Sequence, residues 1–289
     1  FRIRRGLWDQ HLDEAVKAGL TSVSTYIPWA WHEEEEGLFD FDGSTCPEKD
    51  LEGWLRSCHE HRLTCIVKPG PFILAEFRGA GLPDWFIEKY GEEVRMRTRS
   101  GSRVMSDGVS LFNEKYIEKV GLWYDTIMPL IRRNQASSGG PVIMMQICNE
   151  IGVFSWLAHQ ADYGNAVRDR FISWLKGRFG SINEVNKLWE TDYSGFDHIE
   201  LPPDGQTPYA SAGDRGRDNE WHLFWRRYYG DYLRMLTGMA RERGVTVPFY
   251  HNLPGWIYGS GYEFPVNNTM YEDLFNEKSE IFFGVDHIP

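Results

Sequence analysis

Two adjacent residues in the stretch Pro141–Gly152, PVIMMQICNEIG, could do chemistry together: Asn149 and Glu150. A carboxyl group can give and take a proton, and an amide beside it can hold a hydroxyl. Val142–Met145 is a short apolar run behind Gly139-Gly140-Pro141, which reads as a buried strand. Such a strand would deliver the pair at its C-terminal tip, where α/β barrels carry their reactive groups. In isolation the same residues fit a strand that simply ends in two solvated polar side chains. Two other strand-like runs end in reactive types, Leu63–Lys68 in a lysine and Ile281–Val285 in Asp286-His287. A strand-end lysine could form a Schiff base, but Pro69 follows Lys68 at once and no partner stands near it in sequence.

Metal chemistry finds no pattern. Cys46, Cys58, Cys65 and Cys148 form no CxxC pair, and the nine histidines include no HExxH. Cys65 and Cys148 lie in apolar runs and read as small buried hydrophobes. No metal site and no cofactor are expected.

The elements that must position these groups belong to a chain of 289 residues, enough for one large domain or two small ones. A formal net charge of −11 argues against nucleic acid or an anionic membrane as partner. No apolar run approaches the roughly 20 residues of a membrane helix. Aromatics make up 15% of the chain, including 12 Trp and 14 Tyr. They suit either a large core or flat platforms for sugar rings. A homo-oligomer is left open, and for the compartment the cytoplasm is favoured.

Strand-like and helix-like stretches alternate along the chain. Thr21–Pro28, Leu63–Lys68, Val142–Cys148, Thr246–His251 and Ile281–Val285 read as strands. Trp8–Ala18, Leu51–His61, Trp85–Tyr90, Glu114–Arg133, Tyr163–Phe179, Ser181–Trp189, Trp221–Arg243 and Tyr271–Asn276 read as helices. Ser181, with Glu184 three residues on, is placed as an N-cap. The polar, Gly-containing Thr207–Asn219 reads as a surface loop. Strand, helix, strand at these intervals is the signature of a parallel sheet with crossover connections. No glycine-rich phosphate loop follows any strand, so a dinucleotide or P-loop fold has no support.

Several blocks carry a resemblance. TYIPWAWHEEEEGLFDFDG resembles the WNxHEPxxGxFDFxG block of clan-A retaining β-galactosidases, glycoside hydrolase families 35 and 42. KPGPFILAEFRGAGLPDWF resembles the family-35 block RPGPYICAEWxxGGLPxWL over nearly its full length, and QICNEIG resembles QxENEYG. Within Tyr163–Pro203, FISWLKGRFGSINEVNKLW is more similar to family 42, as are the later FYHN and VDHIP. The resemblance implies a (β/α)8 TIM-type barrel over 1–289, with a helical insertion at about 153–220. It implies Glu150 as general acid/base and Asn149 as a hydrogen-bond partner of the sugar 2-hydroxyl. Tyr26, Ala75 and Glu76 would line the sugar subsite, and Asp286 would bind or position the substrate. The implied activity is a retaining β-glycosidase, most readily a β-galactosidase, acting on a β-galactoside or related carbohydrate. For the first step Glu150 must hold its proton near neutral pH, which calls for a raised pKa.

Three departures touch the site: Ala30 stands for the Asn of PWN, Cys148 for the Glu before NE, and Ile151 for a Tyr. Lys68 likewise replaces a strand-end Arg. Losing a charge at 148 could alter the acid/base or the sugar accepted. Retaining hydrolysis also needs a second carboxylate, roughly 5–5.5 Å from the first. Counted from the resemblance, the five strands are the second to sixth of a barrel whose first, seventh and eighth are missing. The nucleophile is therefore expected beyond residue 289, and the piece alone is expected to be inactive. Asp286 and Glu263 are the in-chain alternatives. The competing reading is a carbohydrate-binding barrel that has lost catalysis.

Overall fold

A computed structural model describes residues 3–74, 77–103, 108–153, 155, 161–203, 208–254, 274 and 280–286. Five strands run through them: β1 Ser22–Tyr26, β2 Thr64–Lys68, β3 Val142–Gln146, β4 Phe249–Pro254 and β5 Ile281–Asp286. They form one sheet in chain order, and every neighbouring pair is parallel. Parallel neighbours require crossovers, and helices supply them. Between β1 and β2 lie α2 Trp29–His32 and α3 Leu51–Glu60; between β2 and β3 lie α4 Asp84–Val94 and α5 Glu114–Asn134. Ahead of β1 stands α1 Trp8–Lys17. Between β3 and β4 come α6 Asn165–Phe179, α7 Ile182–Trp189 and α8 Ala212–Glu242. Such an all-parallel array in sequential order fits five consecutive βα units of a (β/α)8 barrel.

The two faces of the sheet differ. Thr25, Cys65, Val67, Met145 and Phe249 are buried and look toward helices. The Trp54 indole of α3 donates to Thr25 Oγ1 at 2.8 Å, and the Arg241 guanidinium of α8 covers the Phe249 ring at 4.1 Å. Strand side chains alternate, so the neighbours of these residues face the other way. Ser22, Ile66, Lys68, Met144 and Tyr250 are only half-buried there, and Ser24 is exposed. An arc of barrel wall has this character, with one face under helices and the other toward the barrel axis.

Among the described residues the aromatic rings lie largely in the core. Every described tryptophan is buried or half-buried. Trp123 of α5 stacks on Trp29, Phe39 and Phe41 with ring centres 5.8 to 6.3 Å apart. A second cluster runs along α8 through Trp221, Phe224, Trp225, Tyr228 and Tyr229, and its first two rings meet Phe171 of α6. Each such ring buries a large apolar area, and offset or edge-on contacts add to it.

Two local expectations need correction. Thr207–Asn219 is not a loop throughout, because α8 begins at Ala212. Ser211 caps it, its hydroxyl accepting the Asp214 N–H at 3.0 Å. Gly213 and Gly216 serve close packing rather than turning: a Cβ on Gly213 would collide with the Trp189 carbonyl, and one on Gly216 would press on Leu188. Ser181 does stand at the head of α7, but its side chain makes no capping bond. The Tyr271–Asn276 helix lies outside the described residues apart from Leu274, which is helical. Among the described residues no helix is long and apolar enough to cross a membrane.

Candidate active site

Strand β3 pairs with β2 as far as Met145 and with β4 to its last residue, Gln146, and one further ladder bond carries it on, Ile147 N–H to the Tyr250 carbonyl at 2.8 Å. The chain then turns sharply. Cys148 and Glu150 both take left-handed backbone conformations, φ 56° and 43°, and Gly152 follows at 83°. Left-handed conformations at residues with a Cβ cost on the order of 1–3 kcal/mol each and persist only where surroundings over-determine them. Here the surroundings do so. Cys148 N–H donates to the Gly70 carbonyl at 3.2 Å, Val153 N–H donates to the Glu150 carbonyl at 3.0 Å, and Tyr124 O–H also donates to Gly70 at 3.1 Å. The effect is to lift Asn149 and Glu150 off the end of the strand.

A polar network lies beneath the turn. The Gln146 amide nitrogen donates toward the Cys148 carbonyl, Asn149 Oδ1 and Asn252 Oδ1 at 2.7 to 2.8 Å, and its oxygen accepts the Tyr250 hydroxyl at 2.7 Å. Because Asn149 Oδ1 is taken from below, its amide nitrogen is the group left to donate to a ligand hydroxyl. On the helix side, His251 of β4 meets the backbone of the turn at both ends. Its Nδ1 lies 2.7 Å from the Ile147 carbonyl, and its Nε2 accepts Ile151 N–H at 3.3 Å. Full burial pushes the His251 pKa down to about 4, so the ring is neutral at ordinary pH.

A hollow of about 460 Å³, counting the space open to solvent, borders the turn. Asn149 and Glu150 line it, with Phe72, Leu74, Trp225 and Cys148 among its apolar walls. The Cys148 thiol is buried and its pKa is pushed up to about 12 by that burial, so it brings no charge to Glu150. Deeper in the wall, burial raises the pKa of Asp162, whose Oδ1 accepts the N–H groups of Arg97 and Gly164 at 2.9 Å each. A half-buried carboxyl at the mouth of an apolar hollow, with an amide donor at its side, can protonate a leaving oxygen and hold a hydroxyl next to it.

The expected site residues divide. Asn149, buried, and Glu150, half-buried, are brought together at the hollow. Tyr26 ends β1 and pairs with Lys68, whose ammonium lies 4.5 Å from the centre of its ring. Register places Tyr26, Lys68, Gln146, Tyr250 and Asn252 on the helix-free face, at the same end of the sheet, two strands over from Glu150 for Tyr26. Ala75 and Glu76 lie outside the described residues, as do Glu263 and His287. Asp286 closes β5 opposite Pro254, and only its backbone is described. Gln146, His251 and Asn252 were not singled out in the sequence. Gln146 and Asn252 occupy the alternate, inward positions of strand ends, a signal that periodicity could have supplied.

Residues 1–198 match the family model of Glycosyl hydrolases family 35. The chain belongs to glycoside hydrolase family 35. The match runs on through Tyr163–His198, the stretch whose motifs resemble family 42. A β-1,2-glucosyltransferase from Ignavibacterium album is 39% identical over the whole chain, which spans 40% of that protein. An exo-β-D-glucosaminidase from Pyrococcus horikoshii is 32% identical over 86% of the chain, covering 32% of its own length. Among solved structures, the β-galactosidase of the haloarchaeon Halorubrum lacusprofundi superposes with a TM-score of 0.75 over 99% of this chain and 38% of its own. At 20% identity that likeness speaks for the fold, an α/β barrel of glycosidase type. The family-35 chain described here is thus glycosidase-like, and it spans less than half the length of these relatives.

Proposed function

We propose that this chain carries the acid/base side of a retaining β-glycoside-active barrel, with Glu150 as the catalytic acid/base. The observation that carries the reading is the strained turn that lifts Asn149 and Glu150 from the end of β3 into the hollow. In the first step Glu150 protonates the glycosidic oxygen while a second carboxylate attacks the anomeric carbon. In the second step Glu150 takes a proton from the acceptor, which is water in hydrolysis and a sugar hydroxyl in transfer. Asn149 donates its amide N–H to the 2-hydroxyl, a contact that tightens in the transition state. Within this chain the candidates for the attacking carboxylate are Asp286 and Glu263. A helical insertion is taken to span about 153–220, and beyond it α8 walls the hollow through Trp225, Tyr228 and Tyr229.

For the sugar, we favour a terminal β-linked gluco-configured residue. Glucose and glucosamine share that configuration, and they are the sugars in the printed names of the two relatives given above. The neutral, buried Cys148 supports a departure from the galactoside pattern, in which a Glu stands at that place. A β-galactoside is the second reading, favoured by the resemblance of the Tyr26 and Ala75-Glu76 blocks.

The test uses the full-length protein and aryl β-glucosides, β-glucosaminides and β-galactosides. Glu150→Gln should lower kcat about 10²–10⁴-fold on substrates with poor leaving groups. With a dinitrophenyl leaving group, which departs without a proton, the first step should survive. Equal losses on both substrates would remove Glu150 from the acid role. Sugar binding without turnover in the wild type would favour the binding-barrel reading.

A further inference from the structure

His251 does not line the hollow, yet among the described residues it is the one side chain hydrogen-bonded to both ends of the turn carrying Glu150. The imidazole is wholly buried on the helix side of β4. Nδ1 stands 2.7 Å from the Ile147 carbonyl, which can only accept, so Nδ1 bears the proton. Nε2 faces the Ile151 N–H at 3.3 Å, which can only donate, so Nε2 is bare. Geometry therefore assigns a single tautomer, and both bonds depend on it. Between the two bonded backbone groups lie just Cys148, Asn149 and Glu150, the first and last in left-handed conformations.

We propose that His251 is a positioning residue for the acid/base, a neutral imidazole clamp that closes the Ile147–Ile151 turn and fixes where the Glu150 carboxyl stands. The inference rests on the reading of Glu150 given above and adds to it the residue that holds the geometry. The physical case is one of supply. Two left-handed residues would relax toward ordinary backbone if the ends of the turn could separate, and Glu150 would swing with them. Gln146 ties the inner side of the turn, through the Cys148 carbonyl and Asn149 Oδ1, but reaches neither Ile147 nor Ile151. Cys148 N–H is anchored to Gly70 and does not span the turn. Among the described residues the His251 clamp is what spans it.

The experiment compares His251→Leu and His251→Gln in the full-length protein. Leu keeps bulk and loses both bonds. Gln offers one donor and one acceptor on a planar amide, close to the spacing of the ring nitrogens. His251→Leu should lose about 100-fold in kcat, the scale of an ångström-sized misplacement, with KM within about threefold. His251→Gln should recover most of that loss. A folded His251→Leu protein with kcat near wild type would overturn the proposal, as would a loss that falls on KM alone. Nitrogen-15 NMR of the wild-type ring reads the clamp without any turnover. A neutral ring protonated at Nδ1, with a slowly exchanging Ile151 amide, is expected at neutral pH. A ring protonated at Nε2, or a freely exchanging Ile151 amide, would overturn the clamp even in a folded variant series that never turns over. Absence of turnover with the expected NMR signature would instead count against the glycosidase reading alone.

Discussion

Two segments follow strand ends in this molecule, and they use their carboxyl groups in opposite ways. The segment after β1, Trp29–Asp50, holds the densest acidic run of the chain, Glu33–Glu36, together with Asp40 and Asp50. Its acids are absorbed by structure. Glu33 is buried, with a raised pKa from that burial, and accepts Gly37 N–H at 2.7 Å and the Trp29 indole. Asp40 accepts the N–H groups of Gly43, Ser44 and Thr45 and the Thr45 hydroxyl, bonds that hold its carboxyl well below the usual range. Asp50 caps α3 through Gly53 N–H and meets Arg5 at 2.6 Å. The turn after β3, residues 147–153, holds one carboxyl, Glu150, and its ties come from backbone, Gln146 and His251. A buried histidine with Nδ1 on a backbone carbonyl and a pKa near 4 braces each, His32 from within the first segment and His251 of β4 against the second. Carboxyl density marks the loop that is built to stay put; backbone strain supported by neighbours marks the candidate reactive one.

The sharpest way to break that contrast is to remove one carboxyl from each segment. Glu150→Gln, with its expected kcat loss of about 10²–10⁴-fold, should leave the thermal midpoint within about 2 °C, because a half-buried group on a turn supports little. Asp40→Ala should do the reverse. Losing four bonds to a carboxylate should cost about 3 kcal/mol, or roughly 6–10 °C in midpoint, with kcat per folded molecule unchanged. Calorimetry beside steady-state kinetics on both variants would decide it. A large midpoint shift for Glu150→Gln together with a small one for Asp40→Ala would invert the assignment.

Much of this was legible in the sequence. The five strands stand where their β-branched and apolar runs put them, because a buried parallel strand leaves a local signature. Helices with a clear apolar stripe and a cap or glycine stop, such as Leu51–Glu60, were equally readable. The start of α8 was not: Gly213 and Gly216 look like turn residues until Trp189 and Leu188 are seen packed against them. The Asn149-Glu150 pair stood out through the family resemblance of its block, since its strand alone fits two solvated polar residues as well. His251 could not, since its two partners lie 104 and 100 residues earlier and only the β3–β4 register brings them together. The sugar is the least legible feature, because it depends on where a few hydroxyl partners point rather than on any local pattern.

Acid should weaken the two segments through the same chemistry. His32 and His251 both have pKa values pushed from 6.5 down to about 4 by burial. A histidine held neutral in the fold and free to charge when unfolded contributes stability that is present above its unfolded pKa, about 6.5. That stability drains away as pH falls toward the folded value, by up to about 3 kcal/mol for each ring. The depressed Asp40 acts in the same direction at still lower pH, whereas the raised Glu33 and Asp162 act against it. Thermal midpoints measured at about pH 7 and about pH 4.5 should therefore fall less for His251→Gln than for the wild type. An unchanged fall would mean that the His251 ring already carries its charge in the fold.

The smallest effect is expected at Glu36, and it limits how far the first segment's acids count as structural. Glu36 meets Lys119 at 2.8 Å, Lys89 at 2.5 Å and the Tyr90 hydroxyl at 3.2 Å, contacts that draw its pKa down to about 2. Its side chain keeps 31% of its exposure, so water and salt screen these pairs. Of the two lysines, Lys119, only 11% exposed, is the one partly shielded from that screening. Glu36→Gln should cost about 0.5–1 kcal/mol at low ionic strength and less than half of that in about 1 M salt. A cost well above about 2 kcal/mol that salt leaves intact would place Glu36 with Asp40, as a group the loop cannot fold without. The small, salt-sensitive value would instead confine the rigid part of that loop to Glu33, Asp40 and Asp50, the buried carboxyls that backbone N–H groups hold.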